Sequence, residues 1–299
     1  MSLFSRIVVA TVPLVPKALV GRVARRYVAG ETREEALAVA RSMNELGAMA
    51  TLDVLGEEVH EPARATEAVD EYIALLESFE EAGVDANVSV KPTQLGLKID
   101  SDLCRENIAR IARVAKDRGN FVRVEMEDRS CTDDTLAIYR DLQAEFSNVG
   151  IVLQAYMRRT LDDIAELPET GANVRLCKGI YVEPREVAWK GFETIRHHYV
   201  AALEKLFAQG AYVGIATHDE YLACAACTLI DRMKIDRSAY EFQMLFGVDA
   251  ELRDLLISRG HPLRMYVPYG PDWYQYSIRR LRENPTVAMH VMRATFGMK

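Results

Sequence analysis

Long apolar runs, cysteine and excess positive charge are all scarce in this sequence, and each shortage closes off a class of protein. No segment approaches the ~20 apolar residues of a membrane span. The one candidate targeting segment, Ile7 to Val15 after Arg6, is interrupted by Pro13, Pro16 and Lys17 before any small-residue cleavage pattern. It reads instead as part of an N-terminal helical arm, residues 1–30, packing on a body formed by residues 31–299. The five cysteines, Cys104, Cys131, Cys177, Cys224 and Cys227, are odd in number and scattered. That pattern fits a reducing compartment better than a disulfide framework, so a cytoplasmic protein is expected. Basic residues number 37 against 44 acidic ones, a net charge of −7, which would repel nucleic acid, and no nucleic-acid partner is expected. No Gly/Ser-rich linker or low-complexity tract divides the chain, so a single domain is the better count for 299 residues. Neither a G-x-G-x-x-G after a strand nor a G-x-x-x-x-G-K-[ST] is present; any nucleotide-type cofactor is held without a Rossmann or P-loop device.

What the sequence does contain is alternation. Short β-branched runs at Met49 to Leu55, Asn87 to Lys91, Phe121 to Met126, Val149 to Ala155, Asn173 to Cys177, Ala211 to Ala216, Tyr240 to Leu245 and Leu263 to Val267 predict eight strands. Between them lie helical patterns with start and stop signals, such as the Thr32 to Glu35 capping box and a helix opened by Ser101 and Asp102 and stopped at Gly119. Strand and helix repeated eight times in one α/β chain predict parallel strands joined by crossovers. The closed solution is a (βα)8 TIM-type barrel, with a doubly wound open sheet as the alternative.

In such a barrel the chemistry sits at the C-terminal ends of the strands. Those ends carry Lys91, Glu125, Glu127, Asp128, Gln154, Arg175, Lys178, Gly179, Thr217, His218, Asp219, Gln243, Tyr266 and Tyr269. Loops there are polar in any case, but Lys91 and Arg175 lie within or beside apolar runs, where an unpaired cation would be costly. Several chemistries suit this rim. Lys91 or Lys178 could form a Schiff base with a carbonyl substrate. Thr217, His218 and Asp219 with Glu125 and Asp128 could hold a metal, although no second strand-end histidine joins His218, so no metal is expected. Cys224 and Cys227 form a C-x-x-C in mid-helix with no second pair, and read as buried small hydrophobes. The stretch from Pro271 to Pro285 predicts a final helix on which Tyr276, Arg279, Arg280 and Glu283 share one face, opposite Ile278 and Leu281. Two adjacent arginines steadied by a glutamate and a tyrosine make a fork suited to one carboxylate.

Seven segments in register then carry a resemblance: NVSVKPTQLGL (87–97), FVRVEMED (121–128), GIVLQAY (150–156), VRLCKGIY (174–181), ATHD (216–219), YEFQMLFGV (240–248) and RMYVPYGPDWYQYSIRRLRENP (264–285). Together they closely resemble the proline dehydrogenase family in its short bacterial form, over roughly residues 25–285. The resemblance implies a distorted (βα)8 barrel with its last helix over the mouth, noncovalently bound FAD, and oxidation of L-proline to 1-pyrroline-5-carboxylate in proline catabolism. It implies that Lys91, Arg279 and Arg280 bind the proline carboxylate, that Glu283 pairs with the arginines, and that Tyr266, Tyr276, Tyr181 and Leu245 line the ring pocket. Gln154, Arg175, Lys178, Gly179, Ile180, Thr217 and His218, with the backbone at Met126, would hold FAD. Arg175 and Glu125 would stand at the catalytic centre. Two residues depart from the family pattern: Glu125 stands where aspartate is usual, with Lys91 its expected partner, and Ile180 where alanine is common. The family passes electrons to membrane quinones, which implies peripheral contact with the inner face of the membrane, and a homo-oligomer is possible.

Overall fold

The computed structural model describes residues 21, 24–168 and 171–283, the side chains of 279–283 excepted. Eight strands close into a parallel barrel in sequence order, β1 (Met49–Val54), β2 (Ala86–Val90), β3 (Val122–Val124), β4 (Val149–Gln154), β5 (Asn173–Cys177), β6 (Tyr212–Ala216), β7 (Tyr240–Leu245) and β8 (Leu263–Tyr269). The barrel closes where β8 pairs with β1, from Met49 opposite Arg264 to Val54 opposite Tyr269. The expected closed barrel is therefore the fold, and the open sheet is not.

The helices form where their signals stand. α1 (Arg33–Glu45) starts at a capping box in which Thr32 Oγ1 accepts from the Glu35 N–H and Glu35 reaches back to the Thr32 N–H. α2 (Pro62–Ala82) has proline in its first turn and stops at Gly83, whose φ of 62° is the left-handed cap. α3 (Ser101–Asp117) is capped by Asp100, one residue before the expected opening. α4 (Thr132–Glu145), α5 (Thr160–Ala165), α6 (Phe192–Ala208), α7 (Glu220–Met233) and α8 (Ala250–Ser258) follow β3 to β7 in turn, and α9 (Trp273–Glu283) follows β8.

β1, β4 and β6 are each one residue shorter than their apolar runs and β2 is shifted by one residue; β3 and β8 differ more. β3 stops at Val124 because the chain beyond it turns toward β2, where Glu127 accepts from both the N–H and the hydroxyl of Thr93. β8 continues past Pro268 to Tyr269, since both residues stay in register with β1.

Each strand alternates. Its outward residues, such as Leu52, Val88, Ile151, Leu176 and Ile215, are fully buried against the helices and make the main core. Its inward residues are polar to a degree unusual for a barrel whose interior is normally packed with branched aliphatics: Asp53, Ser89, Arg123, Arg175, Glu241 and Gln243 are all buried. Bonds from Arg175 on β5 to Ser89 on β2 and to Glu125 after β3 span strands that are not neighbours, so these side chains meet inside the barrel. Of the expected N-terminal arm, Ala24, Tyr27 and Val28 pack with Leu55 and Tyr276 in a small cluster of their own. The Ile7 to Val15 run and Pro285 lie outside the described residues. Cys224 corrects an expectation: it is exposed, because α7 turns Leu222, Ala223, Ala226, Leu229 and Ile230 inward. Among the described residues no helix is long and apolar enough to cross a membrane.

Candidate active site

A cavity of about 710 Å³ opens at the C-terminal end of the barrel. Strand ends supply Lys91, Glu125, Arg175, Lys178, Thr217, His218, Leu245 and Tyr266 to its wall, the loop after β5 supplies Gly179 and Ile180, and α9 contributes Tyr276. These are the residues expected at the rim, brought together by the barrel closure.

The charged groups pair differently from expectation. Lys91 does not take Glu125 as its partner. Its Nζ lies 2.5 Å from Asp53 Oδ1, with side chains 8% and 0% exposed, because β1 and β2 are adjacent strands and both groups point inward. Burial alone would discharge the Lys91 ammonium, but Asp53 and then Glu125 outweigh it and raise its pKa above the ordinary lysine value. A lysine held protonated in this way is a poor Schiff-base nucleophile and a good anion ligand. Glu125 pairs instead with Arg175 Nη1 and accepts from the Ser89 hydroxyl at 2.5 Å. Burial opposes its charge, while Arg175 and Lys91 hold its pKa below the usual glutamate range.

Arg175 is gripped on several sides. Nε donates to Gln243 Oε1 at 2.5 Å and Nη1 donates to Ser89 Oγ at 3.1 Å and to Glu125. Among the described residues Nη2 takes no hydrogen bond, and the guanidinium lies 5.3 Å from the centre of the Tyr266 ring. The Tyr266 phenol stays neutral, its pKa raised by burial and then by Asp53 and Glu125.

On the opposite wall Asp219 ties three elements together. It caps α7, accepts from Lys178 at 3.1 Å, and receives a two-pronged bond from Arg196 at 2.9 and 2.7 Å. Burial pushes its pKa up, but Arg196 and Lys178 prevail and bring it down to about 2. Arg196 lies over the rings of Phe192 and Tyr221. The Leu245 N–H donates to His218 Nε2 at 2.9 Å, which leaves the imidazole proton on Nδ1. Gly179 has a φ of 104°, and a Cβ there would stand 2.0 Å from the Tyr156 ring, so this wall of the cavity admits only glycine.

Three expected residues do not line the cavity. Gln154 is buried and donates to the Glu127 carbonyl, Met126 packs in the main core, and Tyr181 stands in the loop beyond Ile180. The side chains of Arg279, Arg280 and Glu283 lie outside the described residues. The sequence reading missed Asp53, Phe192 and Arg196 altogether. An aspartate inside the apolar run MATLDVL was the available signal for the first; the i,i+4 spacing of Phe192 and Arg196 was a weaker one for the others. The metal alternative does not assemble: Asp219 is held by cations, Asp128 by Ser130, and among the described residues no three His, Cys, Asp or Glu side chains are grouped to hold an ion.

The cavity is far larger than a five-membered amino acid fills, and within the range of pockets that take drug-sized ligands. Its donors are cationic or polar groups fixed by partners, with Leu245, Val152 and Met244 as apolar wall. That combination suits a flat, partly anionic cofactor beside a small carboxylate substrate.

Comparison with known proteins agrees. The family profile described as proline dehydrogenase matches residues 36–293. The chain is 37% identical over 275 residues to a proline dehydrogenase of Deinococcus radiodurans, covering 90% of this chain and 89% of that one. It is 34% identical over 270 residues to proline dehydrogenase 1 of Bacillus subtilis strain 168, with the same coverage. Among solved structures it superposes on proline utilization A of Bdellovibrio bacteriovorus, crystallised after inactivation by N-propargylglycine, with a TM-score of 0.81 at 23% identity. That likeness concerns the fold; it covers 93% of this chain and 34% of the other, so the chain spans about a third of that larger protein.

Proposed function

The chain belongs to the proline dehydrogenase family, and from that premise we propose that it oxidises L-proline to 1-pyrroline-5-carboxylate with noncovalently bound FAD and passes the electrons to a quinone. The observation that carries the reading is the pairing of two buried cations, Lys91 and Arg175, at the floor of one large cavity whose opposite wall is built around Lys178, Arg196 and His218. When bound, the flavin supplies the acceptor for the hydride that leaves C5, and the ring nitrogen loses a proton as the C=N bond forms.

The chain's own residues do the positioning. Lys91, held protonated by Asp53, takes the substrate carboxylate, and the resemblance adds Arg279 and Arg280 to the same clamp. Tyr266, Tyr276 and Leu245 wall the pyrrolidine ring, which keeps C5 directed at the cofactor. Arg175, which lines the cavity and engages only Nε and Nη1 among the described residues, offers fixed positive charge where negative charge grows during the oxidation. Lys178, Gly179, Ile180, Thr217 and His218 hold the rest of the cofactor along the wall between β5 and β6. Glu125 keeps Arg175 in place and balances its charge.

The test is a colour. The purified protein is expected to be yellow, to bleach when proline is added without oxygen, and to regain colour when a water-soluble quinone follows. Acid precipitation should release all the colour to the supernatant. A colourless protein that borohydride links to a carbonyl substrate at Lys178 would establish lyase chemistry instead. Replacing Arg279 or Arg280 by Met should raise KM for proline by about 2–4 kcal/mol of lost charge-assisted bonding, with kcat falling less.

A further inference from the structure

Below the cavity a second set of buried groups makes an unbroken chain to Arg175. Arg264 Nε donates to Glu241 Oε1 at 2.8 Å, Gln243 Nε2 donates to the same oxygen at 2.6 Å, and Gln243 Oε1 accepts from Arg175 Nε at 2.5 Å. The Tyr212 hydroxyl donates to Glu241 Oε2 at 2.9 Å, so both carboxylate oxygens are engaged. Burial opposes the Glu241 charge, but Arg264 overcomes it and keeps the group ionised, below the ordinary glutamate pKa.

A glutamine amide has a donor end and an acceptor end. Gln243 lies between a guanidinium that can only donate and a carboxylate that can only accept, and one orientation alone satisfies both. The space it occupies is also cut to shape. A Cβ added at Gly214 on β6 would stand 2.5 Å from Gln243 Nε2, so the missing side chain there leaves room for the amide.

We infer that Glu241 is a positioning residue for the oxidation: it fixes which end of the Gln243 amide faces Arg175, and so keeps the Arg175 guanidinium aimed at the cavity. The inference rests on the reading of Arg175 given above, and Glu241 itself does not line the cavity.

The experiment compares Glu241→Gln, the swap Glu241→Gln with Gln243→Glu, and Gly214→Ala, with Arg175→Met as reference. The readouts are kcat, KM for proline, the flavin midpoint potential, and the Nε–H resonance of Arg175 in arginine-labelled protein, assigned by its loss in Arg175→Met. In Glu241→Gln the new amide can turn its donor end to Gln243, which is then free to face Arg175 with the wrong end. The expected result is a fall in kcat of at least tenfold, a change in KM below threefold, and a displaced resonance. The swap puts at position 243 a carboxylate, which accepts from Arg175 whichever way it turns, and should recover at least a third of kcat and most of the resonance position. Gly214→Ala displaces Gln243 while leaving the Arg264 to Glu241 pair intact, and should reproduce the Glu241→Gln signature; it carries the test if Glu241→Gln does not fold.

A wild-type resonance and kcat in Gly214→Ala, or in Glu241→Gln, would overturn the inference, as would a swap that recovers nothing. If Arg175→Met leaves the flavin potential and absorbance unchanged, the assignment of Arg175 to the flavin fails, while the resonance still decides whether Glu241 positions Arg175.

Discussion

The barrel interior has two polar levels, and they are finished differently. In the lower level Arg123 donates to the carbonyls of Ile151 and Asn173 and to the Asn173 side chain, while Arg264, Tyr212 and Gln243 share out the oxygens of Glu241. In the upper level Lys91, backed by the buried Asp53, and Arg175, paired with Glu125, line the cavity, and Arg175 Nη2 has no hydrogen-bond partner among the described residues. The same residue types thus serve two ends. A charge whose bonds are all taken up by the protein contributes to the fold, whereas one that keeps an open valence toward a cavity is available to a ligand.

The sharpest way to test that division is Lys91→Met. It strands the fully buried Asp53 carboxylate, a loss of about 3–5 kcal/mol of stability by urea denaturation, and it raises KM for proline in the protein that remains folded. Adding Asp53→Asn should restore most of the stability and none of the affinity; restoration of both would mean that Lys91 serves the fold only.

Next come the two buried arginines. Arg175→Met should lower kcat by the equivalent of about 3–4 kcal/mol with KM little changed. Arg123→Met should leave kcat and KM within threefold of wild type and remove about 1–3 kcal/mol of stability, because it deletes three hydrogen bonds and leaves Asn173 Oδ1 without its donor. Equal kinetic losses in both would erase the distinction between the levels.

How far the sequence revealed this interior is instructive. Eight strands were legible because outward apolar residues recur at every second position of short β-branched segments, and the rim residues were legible because they follow those segments directly. The pairing was not. Glu125 reads as the partner of Lys91 from its charge and its strand, yet Arg175 takes it from across the barrel, and Asp53 takes Lys91 from the neighbouring strand. Which inward residues meet depends on closure and stagger, which no local pattern encodes. The lower level is hidden for a different reason: Arg123, Glu241 and Arg264 sit in the second positions of their strands, away from the strand ends, and only a period-two alternation of polar residues marks them.

The smallest effect concerns pH. Asp219 has its pKa lowered to about 2 by Arg196 and Lys178. A carboxylate depressed in the folded state stabilises above its unfolded pKa, and that contribution fades as pH falls through the folded one. Asn also caps helices well, so Asp219→Asn isolates the charge. The stability gap between wild type and this variant should be about 1 kcal/mol, allowing for solvent around Lys178, and constant above pH ~5. It should close between about pH 4 and 2; a gap that persists at pH 2 would assign the effect to packing.

A polar barrel interior also bears on how such a chain can change over time. The apolar ring between strands and helices tolerates exchange of one aliphatic for another so long as volume is kept. Inside the barrel single steps are costlier, since each inward donor depends on a particular acceptor and each acceptor on a particular donor. A saturation library of this protein should therefore show two regimes: outward strand positions that accept substitutions one at a time, and inward positions that accept them mainly as matched pairs, with Glu241 and Gln243 among the first to move together.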